Sequence, residues 1–437
     1  MLVEFKVSNF RSFSSEQSLS MVASSDKEHS SNLIASENGS LLKVSAIYGA
    51  NASGKSNLFK AMKVMERLVL SSATSMNLGD RIDYIAPFKL DLGLVEAPSR
   101  FTISLIINEI LYIYGFAATR DRVWEEWLDV RRLGGRMSRW FKRDYDPSLK
   151  KTKWLFAGPL KKESDLLQSK TRDNGLVLSR GAELNIEPLA NLFLWFRHGC
   201  NLLDMSRDPS FLAQATARRI MTNESLRSAI VRLIRDADFG ISGIHVVEQP
   251  ADQLPEGAPP ELRAFVESMR TIMKKSSVDE RIMQMNVLTE HLIPGTDELI
   301  QFSLAQEESM GTQRFFALAG PILESLTNGA VLVVDELDCS MHPNLTRKLI
   351  QLFQSPLNDK GAQAVFTTHD NSVMDLELFR RDQIWLVDKT KNGASDLYSL
   401  HDIEQRPRLR EAVSKRYLSG RFGGIPRFGP SLEDVEP

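Results

Sequence analysis

GANASGKSN occupies residues 49–57. Gly49 and Gly54 are followed directly by Lys55 and Ser56, which is the spacing GxxxxGK[ST]. Glycines let backbone N–H groups converge on phosphate oxygens, and a helix starting there adds the positive end of its dipole. In that geometry Lys55 meets the outer phosphates and Ser56 ligates a divalent cation. Asn51 and the glycines line the same loop. The flanks agree: Leu41–Tyr48 is an apolar run that predicts a buried strand, and Lys55 to about Leu70 predicts a helix. A chance glycine turn lacks such flanks. The loop alone does not say which phosphate chemistry it serves.

The C-terminal third of the chain supplies the rest. AVLVVDE (330–336), AQAVFTTH (362–369) and QIWLVDK (383–389) are apolar runs of the kind that fill a parallel sheet buried on both faces. The first ends in Asp335-Glu336. A carboxylate at the tip of such a strand is placed for a metal ion, here Mg²⁺ with Ser56, and the next acid for activating water. His369 ends the following strand, within reach of a terminal phosphate. EESMGTQRFFAL (307–318) places a Ser-x-Gly-Thr turn at the start of a helix, a second N-terminus suited to phosphate. These pieces lie far from residues 49–57 in sequence, so the core is expected to be split between the two ends of the chain.

Between them the pattern changes. Val3–Val7 alternates like a strand, NFRSFS (9–14) turns, and 24–40 reads as a loop. Residues 100–119 predict a hairpin turning at Asn108-Glu109, and 123–130 continues the β pattern. Residues 120–175 carry 15 Lys/Arg against nine acids, with Trp124, Trp127, Trp140 and Trp154 interleaved. Cations and aromatics together suit a nucleic acid or a partner protein, but a solvated segment over packed tryptophans explains them as well, and a protein partner is preferred to DNA. From about 185 to 293 the chain reads as mostly helical, including Glu261–Lys274, with a Pro-rich linker at 248–261. The expected division is 1–130, an N-terminal lobe with antiparallel strands; 131–300, a basic and mostly helical insertion; and 301–437, a C-terminal lobe.

A net charge of −2 gives no global basic field for nucleic acid. Cys200 and Cys339 lack metal-ligand spacing, which argues against a disulfide framework or a zinc site. With no secretory leader and no long apolar run, a cytoplasmic protein without a membrane span is expected.

Taken together, GANASGKSN, SMGTQ (309–313), VLVVDE, Leu337-Asp338 and His369 resemble the ABC-type ATPases, in their SMC/Rad50/RecF-like and OLD-like branch. The resemblance implies an α/β fold: an ABC-ATPase head with a parallel P-loop sheet, an antiparallel β lobe and a helical insertion. It implies ATP and Mg²⁺ as ligands and an ATP-driven homodimer or higher homo-oligomer. In that family two heads enclose two nucleotides, so Ser309 and Gly311 would touch the γ-phosphate held by the partner subunit. Asp338 would be the D-loop acid, His369 the switch histidine, and Lys55 and Glu336 would serve the chemistry. Asn57 and Arg11 match the branch's P-loop and N-terminal motifs, which places both at the nucleotide. FKL after Pro87, TRDNGLVLS (171–179), DADFGI (236–241), DELDCSMHP (335–343) and SGRFGGIP (419–426) resemble compact prokaryotic ATPases of anti-phage systems, the PARIS and RloA types. Two departures stand out. Met310 replaces the glycine of transporter signatures, and no glutamine lies between Gln17 and Gln168 to serve as a Q-loop.

The expectation is an ATP-hydrolysing sensor that controls a separate, nuclease-like effector, since no nuclease constellation is visible in this chain. The alternative is a RecF/SMC-like DNA repair or maintenance ATPase, which the near-neutral charge disfavours. A GTPase would need an NKxD-type base reader, which VDKT (387–390) does not provide. A kinase would leave SMGTQ and His369 without a role.

Overall fold

A computed structural model describes residues 1–36, 39–132, 134–237, 239–250, 283–403 and 413–426. Most of the expected linker at 248–261, the expected helix Glu261–Lys274 and the tail beyond 426 lie outside the described residues. The chain divides into two units. One comprises Met1–Ser206, Ser325–Cys339 and Pro343–Pro437; the other comprises Arg207–Glu324 and Ser340–His342.

The first unit holds two large sheets. The six-stranded one has the order β11-β15-β16-β5-β17-β18. Its strands are β11 (Cys200–Asp204), β15 (Val331–Asp335), β16 (Gln363–Thr367), β5 (Val44–Gly49), β17 (Ile384–Lys389) and β18 (Ser395–Ser399). All pairings are parallel except β17 with β18. β5, β15 and β16 are buried along their whole length, which is why they read as unbroken apolar runs. β5, from the N-terminal part, lies between β16 and β17, from the C-terminal part. Gln363 fastens the chain's first strand to this sheet. Its side chain accepts from Leu2 N at 2.6 Å and donates to Leu2 O and Leu42 O, both at 3.0 Å.

The seven-stranded antiparallel sheet has the order β10-β9-β8-β7-β6-β1-β2. In chain order its strands are β1 (Leu2–Ser8), β2 (Gln17–Ser20), β6 (Ser99–Ile107), β7 (Ile110–Ala118), β8 (Val123–Arg131), β9 (Ser138–Asp146) and β10 (Lys151–Phe156). The hairpin β6–β7 turns at Asn108 and Glu109, with φ of 48° and 64°, the double left-handed geometry that matches strand twist. A small ladder pairs β3 (Leu33–Ile34) with β4 (Leu41–Leu42). Helix α1 (Lys55–Ser71) buries Leu58, Met62, Met65 and Leu68 at helical spacing.

The stretch from 131 onward does not begin as a helical insertion. β9 and β10 continue the antiparallel sheet, and the tryptophans pack on it. Trp140 is buried, Trp127 lies over Gly115, and Trp154 stacks on Phe156 at 5.9 Å. Several cations there face acids: Arg100–Glu125 at 2.7 Å, Arg139–Asp129 at 2.7 Å and Arg143–Glu126 at 3.0 Å. The last pair is buried. Glu126 also accepts from Val177 N, Leu178 N and the Tyr114 hydroxyl. TRDNGLVLS thereby joins the antiparallel sheet to the end of α1, where the Ser179 hydroxyl donates to Val69 O and Ser72 Oγ lies 2.8 Å from Ser179 Oγ.

The second unit combines α2 (Ser210–Thr222), α3 (Glu224–Arg235) and much of α4 (Met310–Asn328) with the sheet β12 (Ile241–Pro250), β13 (Met283–Leu292), β14 (Leu299–Ser303). Among the described residues of 185–293 the expected helices are present, including Glu187–Leu194 with its π-helical continuation Trp195–Gly199, but strands that the sequence did not announce accompany them. α2 and α3 are there, and the strands are β11, β12 and β13. CNLLD in β11 is too short to show a period, and its partial burial hides the apolar run. Pro321 interrupts the ladder of α4, since it has no N–H for Ala317 O. The Thr216 hydroxyl donates to that carbonyl at 3.0 Å instead.

Candidate functional site

The carbonyl ends of β5, β15 and β16 lie side by side, and each carries part of the expected constellation. After β5 the chain enters the glycine loop. Gly49 has φ 155°, and a Cβ there would stand 2.5 Å from Val387 O. Gly54 has φ 120°, and its Cβ would meet Ser395 Oγ and Ser12 Oγ. Neither position tolerates a side chain. Asn51 is exposed at the loop and Ala52 is left-handed at φ 61°. Ser53 Oγ is buried with no hydrogen-bond partner. Ser56 is half-buried at the start of α1.

Lys55 is 4% exposed. Its ammonium donates to Gly49 O at 2.6 Å and Ala50 O at 3.1 Å, and lies 3.4 Å from His369 Nδ1. Burial pulls its pKa down to about 8 against the opposing fields of Asp335, Asp338 and Glu336. His369 is lowered too, first by burial and then by Lys55. The neutral ring can accept from Lys55 at Nδ1 and keep Nε2–H for a ligand.

Asp335 is buried, and Glu336 follows in the left-handed region at φ 59°. One hydroxyl connects them. Thr367 Oγ1 donates to Asp335 Oδ1 at 2.6 Å and accepts from Glu336 N at 2.8 Å. Glu336 thus holds a conformation that costs a non-glycine residue on the order of 1–2 kcal/mol. Asp338 accepts from His369 N through both carboxylate oxygens, at 3.3 and 3.2 Å. Lys55, Asp335, Glu336, Asp338 and His369 are therefore brought together.

Arg11 is exposed. It sits at φ 51°, with its N–H on Ala86 O at 2.7 Å and its guanidinium 5.6 Å from the Phe10 ring. The next residue reaches the loop: Ser12 Oγ accepts from Asn57 Nδ2 at 2.8 Å, and Ser12 O accepts from Ser395 N at 2.7 Å. Asn57 therefore fastens the NFRSFS turn to α1. SGRFGGIP also packs here. Tyr417 donates to Gly424 O at 2.7 Å, and a Cβ on Gly424 would stand 3.7 Å from Gly49 Cα.

Ser309 and Gly311 belong to the second unit. Ser309 Oγ accepts from Thr312 N at 3.1 Å and so caps α4. A Cβ on Gly311 would approach Ser340 O to 2.9 Å.

Sequence reasoning passed over Thr367, Ser12 and Ser395. The only available signal for Thr367 was the pair of threonines before His369. Among the described residues no cluster of three His, Cys, Asp or Glu could hold a metal ion, and no helix is long and apolar enough to cross a membrane.

A parallel sheet with a glycine loop after one strand and acids after the next strand but one, accompanied by an antiparallel sheet, defines a P-loop nucleotide-binding head. The chain belongs to the family described as "AAA domain, putative AbiEii toxin, Type IV TA system", whose model matches residues 44–375. No curated protein matches it. Among solved structures it is similar to an SMC head bound to the C-winged helix domain of ScpA, with 14% identity over 91% of this chain and 97% of that one, TM-score 0.43. The SMC head of Thermotoga maritima gives 14%, 91%, 98% and 0.41. The recombination mediator RecF with ATP gives 16%, 91%, 97% and 0.33.

Proposed function

We propose that the protein binds and hydrolyses ATP with Mg²⁺, and that two copies close on the nucleotide to set the state of a separate effector. The observation that carries this reading is the convergence of Lys55, Asp335, Glu336 and His369 at the ends of three adjacent strands. The residues present suit a triphosphate. The cradle excludes side chains at Gly49 and Gly54, Ser53 Oγ is an unpartnered buried hydroxyl, and Lys55 rests on backbone carbonyls that phosphate oxygens would replace. Asp335 and Ser56 supply oxygen donors of the kind Mg²⁺ takes, and the ion would neutralise charge on the phosphates.

Glu336 orients and deprotonates the attacking water. Lys55 and His369 Nε2–H stabilise charge developing on the terminal phosphate. Ser309, Gly311 and the start of α4 complete the site of the opposite copy. Asn51, Gly54 and Asn57 shape the loop, Arg11 approaches the nucleotide, and Asp338 holds the backbone of His369.

The toxin and TA-system wording of the family description is a hint toward phage defence; within it we assign this chain the sensor role and a nuclease-like partner the toxic step, because no nuclease constellation is visible in its sequence. A RecF/SMC-like role in DNA maintenance would use the same head. The ion-paired cations of the antiparallel sheet give it little support. The test is ATP-driven association. Glu336→Gln should bind ATP, stop turnover and accumulate dimers by light scattering, and Ser309→Arg should bind ATP yet stay monomeric. A Glu336→Gln protein that remains monomeric with saturating ATP and turns over normally refutes the mechanism. Steep, salt-sensitive, ATP-stimulated duplex binding would favour the DNA reading.

A further inference from the structure

The turn at Ser309–Thr312 has an awkward neighbourhood for a phosphate-binding element. Two acids, Glu307 and Glu308, immediately precede it. Carboxylates at a helix N-terminus are attracted to the same N–H groups and the same dipole end that would hold a phosphate. Left free, they would compete with the ligand for the turn and repel it.

Both are tied back to the hairpin β13–β14. Glu307 Oε2 accepts from Ser303 N, at the end of β14, at 2.6 Å. Glu308 Oε1 takes two donors from β13: the Thr289 hydroxyl at 2.6 Å and His291 Nε2 at 2.7 Å. Thr289 and His291 are two residues apart and so share one face of the strand. The Glu308 and His291 side chains are only 11% and 20% exposed. His291 is itself held. Its ring lies 4.8 Å from that of Phe302 on β14, and a Cβ on Gly240 would stand 3.8 Å from Nδ1. The neighbouring Phe239 packs on Phe315 of α4 at 5.2 Å. Phe239 thus packs on the helix, and Gly240 lies beside the histidine ring. The backbone of Glu308 is fixed as well, its carbonyl accepting from Gln313 Nε2 at 3.0 Å.

We propose that His291 and Thr289 are positioning residues of the composite nucleotide site. They sequester the Glu308 carboxylate so that Ser309, Gly311 and the start of α4 present donors to a phosphate without that carboxylate competing for them. The inference rests on the two-copy reading of Ser309 and Gly311. It adds to that reading the element that makes the turn usable, the hairpin β13–β14.

The experiment uses the full chain in the Glu336→Gln background, with fluorescent ATP to measure nucleotide affinity and light scattering to measure ATP-driven association. His291→Leu is expected to leave nucleotide affinity within about twofold and to weaken association about 10-fold or more, the scale of a lost charge-assisted hydrogen bond. His291→Gln, whose amide nitrogen can take the place of Nε2, is expected to restore most of it. The decisive variant is His291→Leu with Glu308→Gln. Removal of the freed charge should recover association, which a merely structural histidine would not allow. Thr289→Val, which keeps the volume and removes one donor, should move association in the same direction and serves if His291→Leu fails to fold. Association of His291→Leu equal to its parent, or a double variant no better than His291→Leu, overturns the proposal. If the Glu336→Gln parent itself fails to associate with ATP, the two-copy reading falls and this inference with it, so the two failures are distinct.

Discussion

Replacing Thr367 with valine keeps the volume of a buried side chain and removes one hydroxyl. That hydroxyl makes two bonds at once, to Asp335 Oδ1 at 2.6 Å and from Glu336 N at 2.8 Å. Asp335 is 4% exposed, so water cannot easily stand in for the lost donor. A bond to a charged acceptor contributes about 1.5–3 kcal/mol and one to an amide about 1 kcal/mol. The amide bond also holds Glu336 in its left-handed conformation, and without it the backbone is free to relax and swing the carboxylate. If about 2.7 kcal/mol of this is felt in the transition state, turnover falls about 100-fold. The assay is single-turnover ATP hydrolysis with a Mg²⁺ titration, alongside nucleotide binding. Thr367→Val should bind ATP through an intact Lys55 loop, hydrolyse it about 100-fold more slowly and need more Mg²⁺. Thr367→Ser should recover most of the rate. A valine variant within about twofold of wild type, with an unchanged Mg²⁺ midpoint, would refute the relay.

Four further outcomes are expected. Lys55→Ala should abolish nucleotide binding. In the wild type, a phosphate raises the lysine's pKa from about 8, so binding takes up a proton above that pH, and affinity measured by calorimetry should fall as pH rises past about 8. Glu336→Gly relieves the backbone at φ 59° and should raise stability by about 1 kcal/mol in urea denaturation while abolishing turnover. Glu126→Gln leaves the Arg143 guanidinium without its buried counter-charge and should cost about 3–5 kcal/mol by the same measurement.

The parallel core was legible because its strands are buried on both faces and end in chemically distinctive residues. VLVVDE and AVFTTH carry their positions in their composition. The hairpin at Asn108-Glu109 was legible for a similar reason, since a turn between two alternating runs leaves few choices. Less could be read from 131 onward. A strand such as β10, exposed at every other residue and studded with lysines, looks like a solvated segment until its neighbour is known. β11 gave no warning at all: five half-buried residues become a strand because β15 lies beside them. At the site the charged groups announced themselves, while the residues that orient them did not. Thr367, Ser12, Thr289 and His291 act through hydrogen bonds across long sequence separations, and nothing local to each marks the partner.

The placement of β5 between β16 and β17 has a consequence for when the protein becomes competent. The glycine loop leaves the ribosome early, but the strands that flank β5 on both sides are made about 300 residues later. At roughly 5–20 residues per second the interval is about 15–60 s. Until residue 369 has been made, Lys55 lacks His369, and until residue 389 has been made, the sheet that seats its loop lacks one or both neighbours of β5. A nascent or truncated chain therefore carries the phosphate loop without the site. Nucleotide-dependent behaviour of the kind proposed above therefore cannot begin before synthesis has passed that point.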